Sequence, residues 1–151
     1  MKPVVKEKAV VTFQLAAINY WAVLVAGLAA FFLGGLWYTG LFGKTWIKLH
    51  GYSEARIKEM QARRPPPVFF GGLILCYLMI AFVMALLLTG YTNPSALTGA
   101  VFGGLVWLGP VACIGMTRHI SVDEPMGLYL IDQSYQLLFL VIMGAILGAW
   151  R

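Results

Sequence analysis

Two long stretches of this sequence carry no ionisable acid or base. From Ile18 to Gly43, and again from Pro65 to Thr117, there is no Asp, Glu, Lys, Arg or His. Only 11% of the 151 residues are charged, whereas a soluble domain carries about 25%. Hydrophobic residues make up 60% of the chain. A chain this short buries only about two-thirds of its surface in water, so the composition excludes an ordinary soluble globule. A helical bilayer crossing takes about 20 apolar residues. The first stretch therefore holds one span and the second holds two. Cysteine is scarce as well. Cys76 and Cys113 sit inside predicted spans without a CxxC motif, and they read as small packing residues rather than a disulfide or redox pair. No phosphate loop, nucleophile elbow or zinc spacing occurs. His50, His119 and Asp123 lack metal-ligand spacing. No metal, cofactor or catalytic residue is expected.

The charge that is present lies beside the apolar runs. A net charge of +5 invites a nucleic-acid reading, but bases flanking spans meet anionic lipid headgroups instead. No nucleic-acid partner is expected; the bilayer is. Lys2, Lys6 and Lys8 precede the first apolar run in the manner of a signal peptide. That run is too long for a secretion signal and ends in Trp37-Tyr38 without an A-x-A pattern, so it reads as a span.

The pattern predicts an all-α integral membrane four-helix bundle with a short interfacial helix between spans one and two. Residues 1–17 form an amphipathic extension, and 18–151 a single domain with spans at about 18–39, 68–90, 96–117 and 127–150. Asn19 is placed to cap the first span and Ser53 the connector helix. Glu54/Lys58 and Glu59/Arg63 have the favourable i,i+4 order. Ile57 and Met60 give the connector a thin apolar edge, and Pro65-Pro66-Pro67 ends it. This helix reads either as a solvated connector or as a lipid sensor. The short turn at Tyr91–Ser95 predicts that spans two and three are antiparallel neighbours. Gly109-Pro110 predicts a kink, and 118–124 a polar loop.

Orientation follows from Lys and Arg. Seven of them (Lys44, Lys48, Arg56, Lys58, Arg63, Arg64, Arg118) share one side, against four (Lys2, Lys6, Lys8, Arg151) on the other. Both termini are expected outside the cytoplasm. Leu33-Gly34-Gly35-Leu36 echoes Phe102-Gly103-Gly104-Leu105, with Trp37 or Trp107 soon after; a two-span duplication would produce such an echo. Small residues recur every fourth position at Ala22, Ala26, Ala30 and Gly34, at Gly99/Gly103 and at Gly144/Gly148. Such ridges let membrane helices approach closely. At least one is expected to pack within the chain, and another to offer a homo-oligomer contact.

A more distinctive pattern runs through the chain. It comprises Asn19-Tyr20-Trp21-Ala22-Val23-Leu24, Gly35-Leu36-Trp37-Tyr38 and Leu41-Phe42-Gly43-Lys44-x-Trp46, then Tyr129-Leu130-Ile131-Asp132-Gln133-Ser134-Tyr135 and Met143-Gly144-Ala145-Ile146-Leu147-Gly148-Ala149-Trp150. This resembles the bacterial membrane family known as domain of unknown function 1761, over about Ile18 to Trp150. The resemblance implies four spans and a bacterial inner membrane. It implies no activity and no catalytic residues.

Asp132 is the one acid inside a predicted span. An ionised carboxylate is costly at bilayer depth, which makes it a functional candidate by default. Gln136 lies one turn further on the same face. Four-span topology puts Trp37, Tyr38, Trp46, Arg118, Asp132 and Gln136 in the same half of the membrane, the candidate ligand pocket. The plainer reading makes the aromatics an interfacial belt and Asp132 a bundle lock paired with Arg118 or with a donor from span one. Three functions stand open: binding or moving a small amphiphilic or hydrophobic ligand through a pocket in the cytoplasmic half; a small membrane-embedded enzyme; and a structural or partner-binding oligomer. The enzyme would need a second convergent group, so the sequence leans away from it.

Overall fold

The protein, seen in a computed structural model, is described over residues 14–150. Most of the predicted amphipathic extension lies outside the described residues; its end, Leu15–Ala17, forms a single 3-10 turn. Six helices follow: α1 (Tyr20–Leu41), α2 (Gly43–Leu49), α3 (Glu54–Arg63), α4 (Pro66–Leu88), α5 (Ala96–Val122) and α6 (Met126–Ala149). There is no strand among the described residues. Helices α1, α4, α5 and α6 are long and apolar enough to cross a membrane. At about 1.5 Å per residue, each matches or exceeds the roughly 30 Å hydrocarbon core. The predicted all-α fold with a connector helix is present, with α2 as an additional short element.

Local chemistry sets the helix ends. Asn19 Oδ1 accepts from the amides of Trp21 (3.0 Å) and Ala22 (3.2 Å). Ser53 Oγ accepts from Arg56 N–H at 3.2 Å. On α3, Glu59 takes both Arg63 and Arg56, while the expected Glu54/Lys58 pair does not form. Pro65 separates α3 from α4, and Pro66 opens α4 where a missing N–H does no harm.

The fifth helix outruns its prediction. Residues 118–122, with Arg118, His119 and Ser121 among them, remain helical, because polarity alone does not end a helix. Thr117 and Ser121 bond back to the carbonyls of Ile114 and Thr117. The helix stops at Asp123, which takes a left-handed conformation at φ 55°, a region that Asp tolerates better than most residues.

Packing converges on α6. It contacts α1, α4 and α5, and α1 also packs on α4. The expectation that spans two and three are neighbours is therefore corrected: α4 and α5 share a short turn, yet α4 leans chiefly on α1 and α5 on α6. Glycine explains the choice. A Cβ at Gly99 would collide with the Gly144 carbonyl, one at Gly144 with the Gly99 carbonyl, and one at Gly103 with the Leu140 carbonyl. Backbones touch along this line, the packing that drives association where lipid tails are as apolar as leucine. Ala22, Ala26 and Ala30 on α1 are all at most 2% exposed. Each ridge read from the sequence thus faces a neighbour inside the chain. The outer surface is apolar, with Phe32, Leu75, Leu97, Val101 and Ile114 exposed. Cys76 and Cys113 are free and lie on that surface rather than packed inside.

Two helices contain a widened turn. In α1 the Phe42 amide donates to the Trp37 carbonyl, five residues back, at 2.8 Å. In α5 the Ala112 amide donates to the Trp107 carbonyl. The Gly109-Pro110 kink takes this form, because Pro110 cannot donate to the ladder. Side chains serve the loosened carbonyls: Thr39 Oγ1 donates to Gly35 O at 2.6 Å, and Cys113 Sγ to Leu108 O at 3.6 Å. The Gly-Gly echo in the sequence precedes a widened turn at a tryptophan carbonyl both times.

Candidate functional site

The end of α1, the reversal into α2 and the first turns of α6 bring one acid and three aromatic donors together. Gly43 permits the reversal, since any Cβ there would collide with the Tyr38 carbonyl. Asp132 Oδ1 accepts from Tyr38 Oη at 2.8 Å and from Trp46 Nε1 at 3.1 Å. Trp37 Nε1 donates to the Ile131 carbonyl at 3.2 Å, so it anchors α1 to the α6 backbone. All three rings are partly buried. Each sends its polar hydrogen to α6.

One turn deeper lies a second polar cluster. Tyr135 Oη is 2.9 Å from the Ala30 carbonyl and 2.8 Å from Tyr77 Oη. One phenolic proton serves one acceptor, so Tyr77 donates to Tyr135 and Tyr135 donates to Ala30. Gly34 makes room for this: a Cβ there would stand 2.7 Å from Tyr135 Oη. Three helices are tied at one depth.

Of the two partners offered for Asp132, the donor from span one is present, as Tyr38. Arg118 does not pair with Asp132; its guanidinium donates to Glu124 at 3.0 Å. The longer α5 carries Arg118 on the helix, and the bend at Asp123 returns Glu124 to it. Gln136 does not extend the hydrogen-bond network, because its side chain bonds to no other residue, but it does line the cavities beside Asp132.

Five of the six residues read from the sequence distribute around two cavities. The first, about 570 Å³, is lined by Tyr38 and Trp46 together with Tyr52, Ile57, Met60, Gln61, Arg64, Phe69 and Phe70. The apolar edge of α3 faces it. The second, about 330 Å³, is lined by Arg118, Asp132 and Gln136, with His119, Glu124, Tyr129 and Gln133. Asp132 stands between them: its Oδ1 partners belong to the first, while the residue itself lines the second. Trp37 lines neither. A shallow groove of about 640 Å³ lies between α4 and α5, over Tyr135 and Phe139. His50 is stacked on Tyr52 and meets Trp46 at a tilt of 41°.

Sequence reasoning passed over Arg64, Tyr52 and Phe69 because they belong to a connector and a span start. The Ile57/Met60 edge was their one available signal. Gln133, Tyr77 and Tyr135 gave none, since polar residues within an all-round apolar helix do not reveal which neighbour they meet.

Fold and site together define a small helical protein with four bilayer-length helices and one carboxylate held by aromatic donors near their ends. The chain belongs to the family described as Protein of unknown function (DUF1761), whose model matches residues 21–148. No curated protein and no solved structure matches it.

Proposed function

We propose that this is a polytopic protein of a bacterial inner membrane that binds or moves a small amphiphile through the cavity beneath α3. The observation that carries this reading is the lining of that cavity. Tyr52, Phe69, Phe70, Ile57 and Met60 supply an apolar body, and Arg64 and Gln61 supply polar groups. Arg64 makes no ion pair with another described residue. A volume of about 570 Å³ lies in the ordinary range for small-molecule sites, roughly 300–1,000 Å³. An amphiphile with an anionic head matches this division. Tyr38 and Trp46, both held by Asp132 from behind, form the inner wall.

Native mass spectrometry of the purified protein tests the proposal. The expected result is one retained amphiphile per chain, lost in Met60→Trp, whose indole fills the cavity without touching α6. A bare protein, or an adduct that survives Met60→Trp, would return the bundle to a structural role.

The same reading puts α2 and α3 in the cytoplasm, where seven of the Lys and Arg residues gather. In a Cys76→Ala/Cys113→Ala background, Asn93→Cys should react with a membrane-impermeant maleimide added to intact cells, and Lys58→Cys should not. Reaction at residue 58 alone would reverse the orientation.

A further inference from the structure

The second cavity holds polar atoms that the protein leaves unanswered. Gln133 is 6% exposed, and its Oε1 meets no hydrogen-bond partner in the protein. His119 Nδ1 is in the same condition. Both residues line the 330 Å³ cavity. A buried polar atom without a partner forfeits its hydration without compensation, and such atoms in folded proteins call for a specific explanation. Gln133 is also confined: its Nε2 lies against Gly115, where any Cβ would collide with it.

The charges around the cavity set the sign of what fits. Asp132 and Glu124 face a single fixed cation, Arg118, which already donates to Glu124 Oε1. Asp132 spends Oδ1 on Tyr38 and Trp46, leaving Oδ2 without a protein donor. The unanswered acceptors are Gln133 Oε1, the second oxygens of Asp132 and Glu124, and His119 Nδ1 in its Nε2–H tautomer; the amide N–H groups of Gln133 and Gln136 are neutral donors that also lack a protein partner. An anion would be repelled, and an apolar molecule would leave every acceptor unmet. A compact cation with three N–H donors answers three of these four acceptors at once and offsets the acidic charge.

We propose that this cavity binds a primary ammonium group, carried either by a small soluble amine or by an aminophospholipid headgroup. The site is distinct from the amphiphile cavity, and it stands or falls independently of that reading.

The test uses the full chain in phosphatidylcholine nanodiscs, titrated calorimetrically with n-butylammonium, with empty nanodiscs subtracted. Butanol and butyrate are the controls. Saturable binding of butylammonium alone is expected, about tenfold weaker in Gln133→Met and in Glu124→Gln, as follows from losing one charge-assisted hydrogen bond. Glu124 sits at the end of α5 rather than in the core, so the second variant keeps the test informative should Gln133→Met fold poorly. Exchanging a third of the lipid for phosphatidylethanolamine separates the two sources. Loss of the butylammonium signal assigns the site to the headgroup, and persistence assigns it to a free amine; both support an ammonium site. Equal binding of butyrate or butanol, or unchanged affinity in both variants, would overturn the proposal.

Discussion

Gly99→Ala and Gly144→Ala are each expected to loosen α5 from α6 and to lower stability by about 3 kcal/mol, the upper end of ordinary overpacking. The added methyl meets a backbone carbonyl in both cases. A flexible side chain can rotate away from such a clash; a helix backbone cannot, so the two axes must separate along the whole contact. Gly104→Ala is the matched control. It lies on the same helix, but the nearest atom to its Cβ position is a Val141 methyl at 4.0 Å, and its effect should stay within about 0.5 kcal/mol. Unfolding of the detergent-solubilised protein measures all three. If Gly99→Ala and Gly104→Ala melt alike, the backbone contact is not what holds α5.

Asp132→Leu should cost about 2 kcal/mol, because it strands the Tyr38 hydroxyl and the Trp46 indole N–H with no acceptor in an apolar setting. The figure is moderate because interhelical hydrogen bonds in membranes average well below the desolvation limit. Asp132→Asn should preserve most of the stability, since its amide oxygen still accepts both bonds. Tyr38→Phe in the Asp132→Leu background should recover roughly half the loss, because it removes one stranded donor. A full double-mutant cycle read by unfolding checks this. Strict additivity of the two changes would mean that the bond seen between them contributes nothing. Ammonium affinity gives a separate readout: Asp132→Asn should fold well and still bind butylammonium more weakly.

These outcomes show where sequence reasoning reached and where it stopped. Helix positions were legible because ionisable groups are absent from two long runs. Helix starts were legible at Asn19 and Ser53, where side-chain geometry is local. The depth of Asp132 and its aromatic company were legible from topology alone. Arg118 was misassigned because helical polar residues after Thr117 look the same in sequence as a loop. The place of α4 relative to α5 was hidden for a different reason. A helix that is apolar all round has no face that periodicity can point to a partner. Glycine spacing carried the missing information, but a small-residue ridge does not name the helix it meets. The widened turn at Trp37 was marked only by the Gly-Gly echo, which shows a repeated pattern but not the hydrogen bond from Phe42 to Trp37 that defines the turn.

The central position of α6 has a consequence in time. Helices leave the ribosome in chain order, and α6 follows the other three spans. Helices α1 and α4 can already pack on each other when they enter the bilayer. Helix α5 arrives with a glycine seam that has no matching surface, because Gly144, Leu140 and Gly148 have not yet been made. On the proposed membrane reading, α5 is therefore made before the helix it packs on, and its seam closes only once α6 is in place.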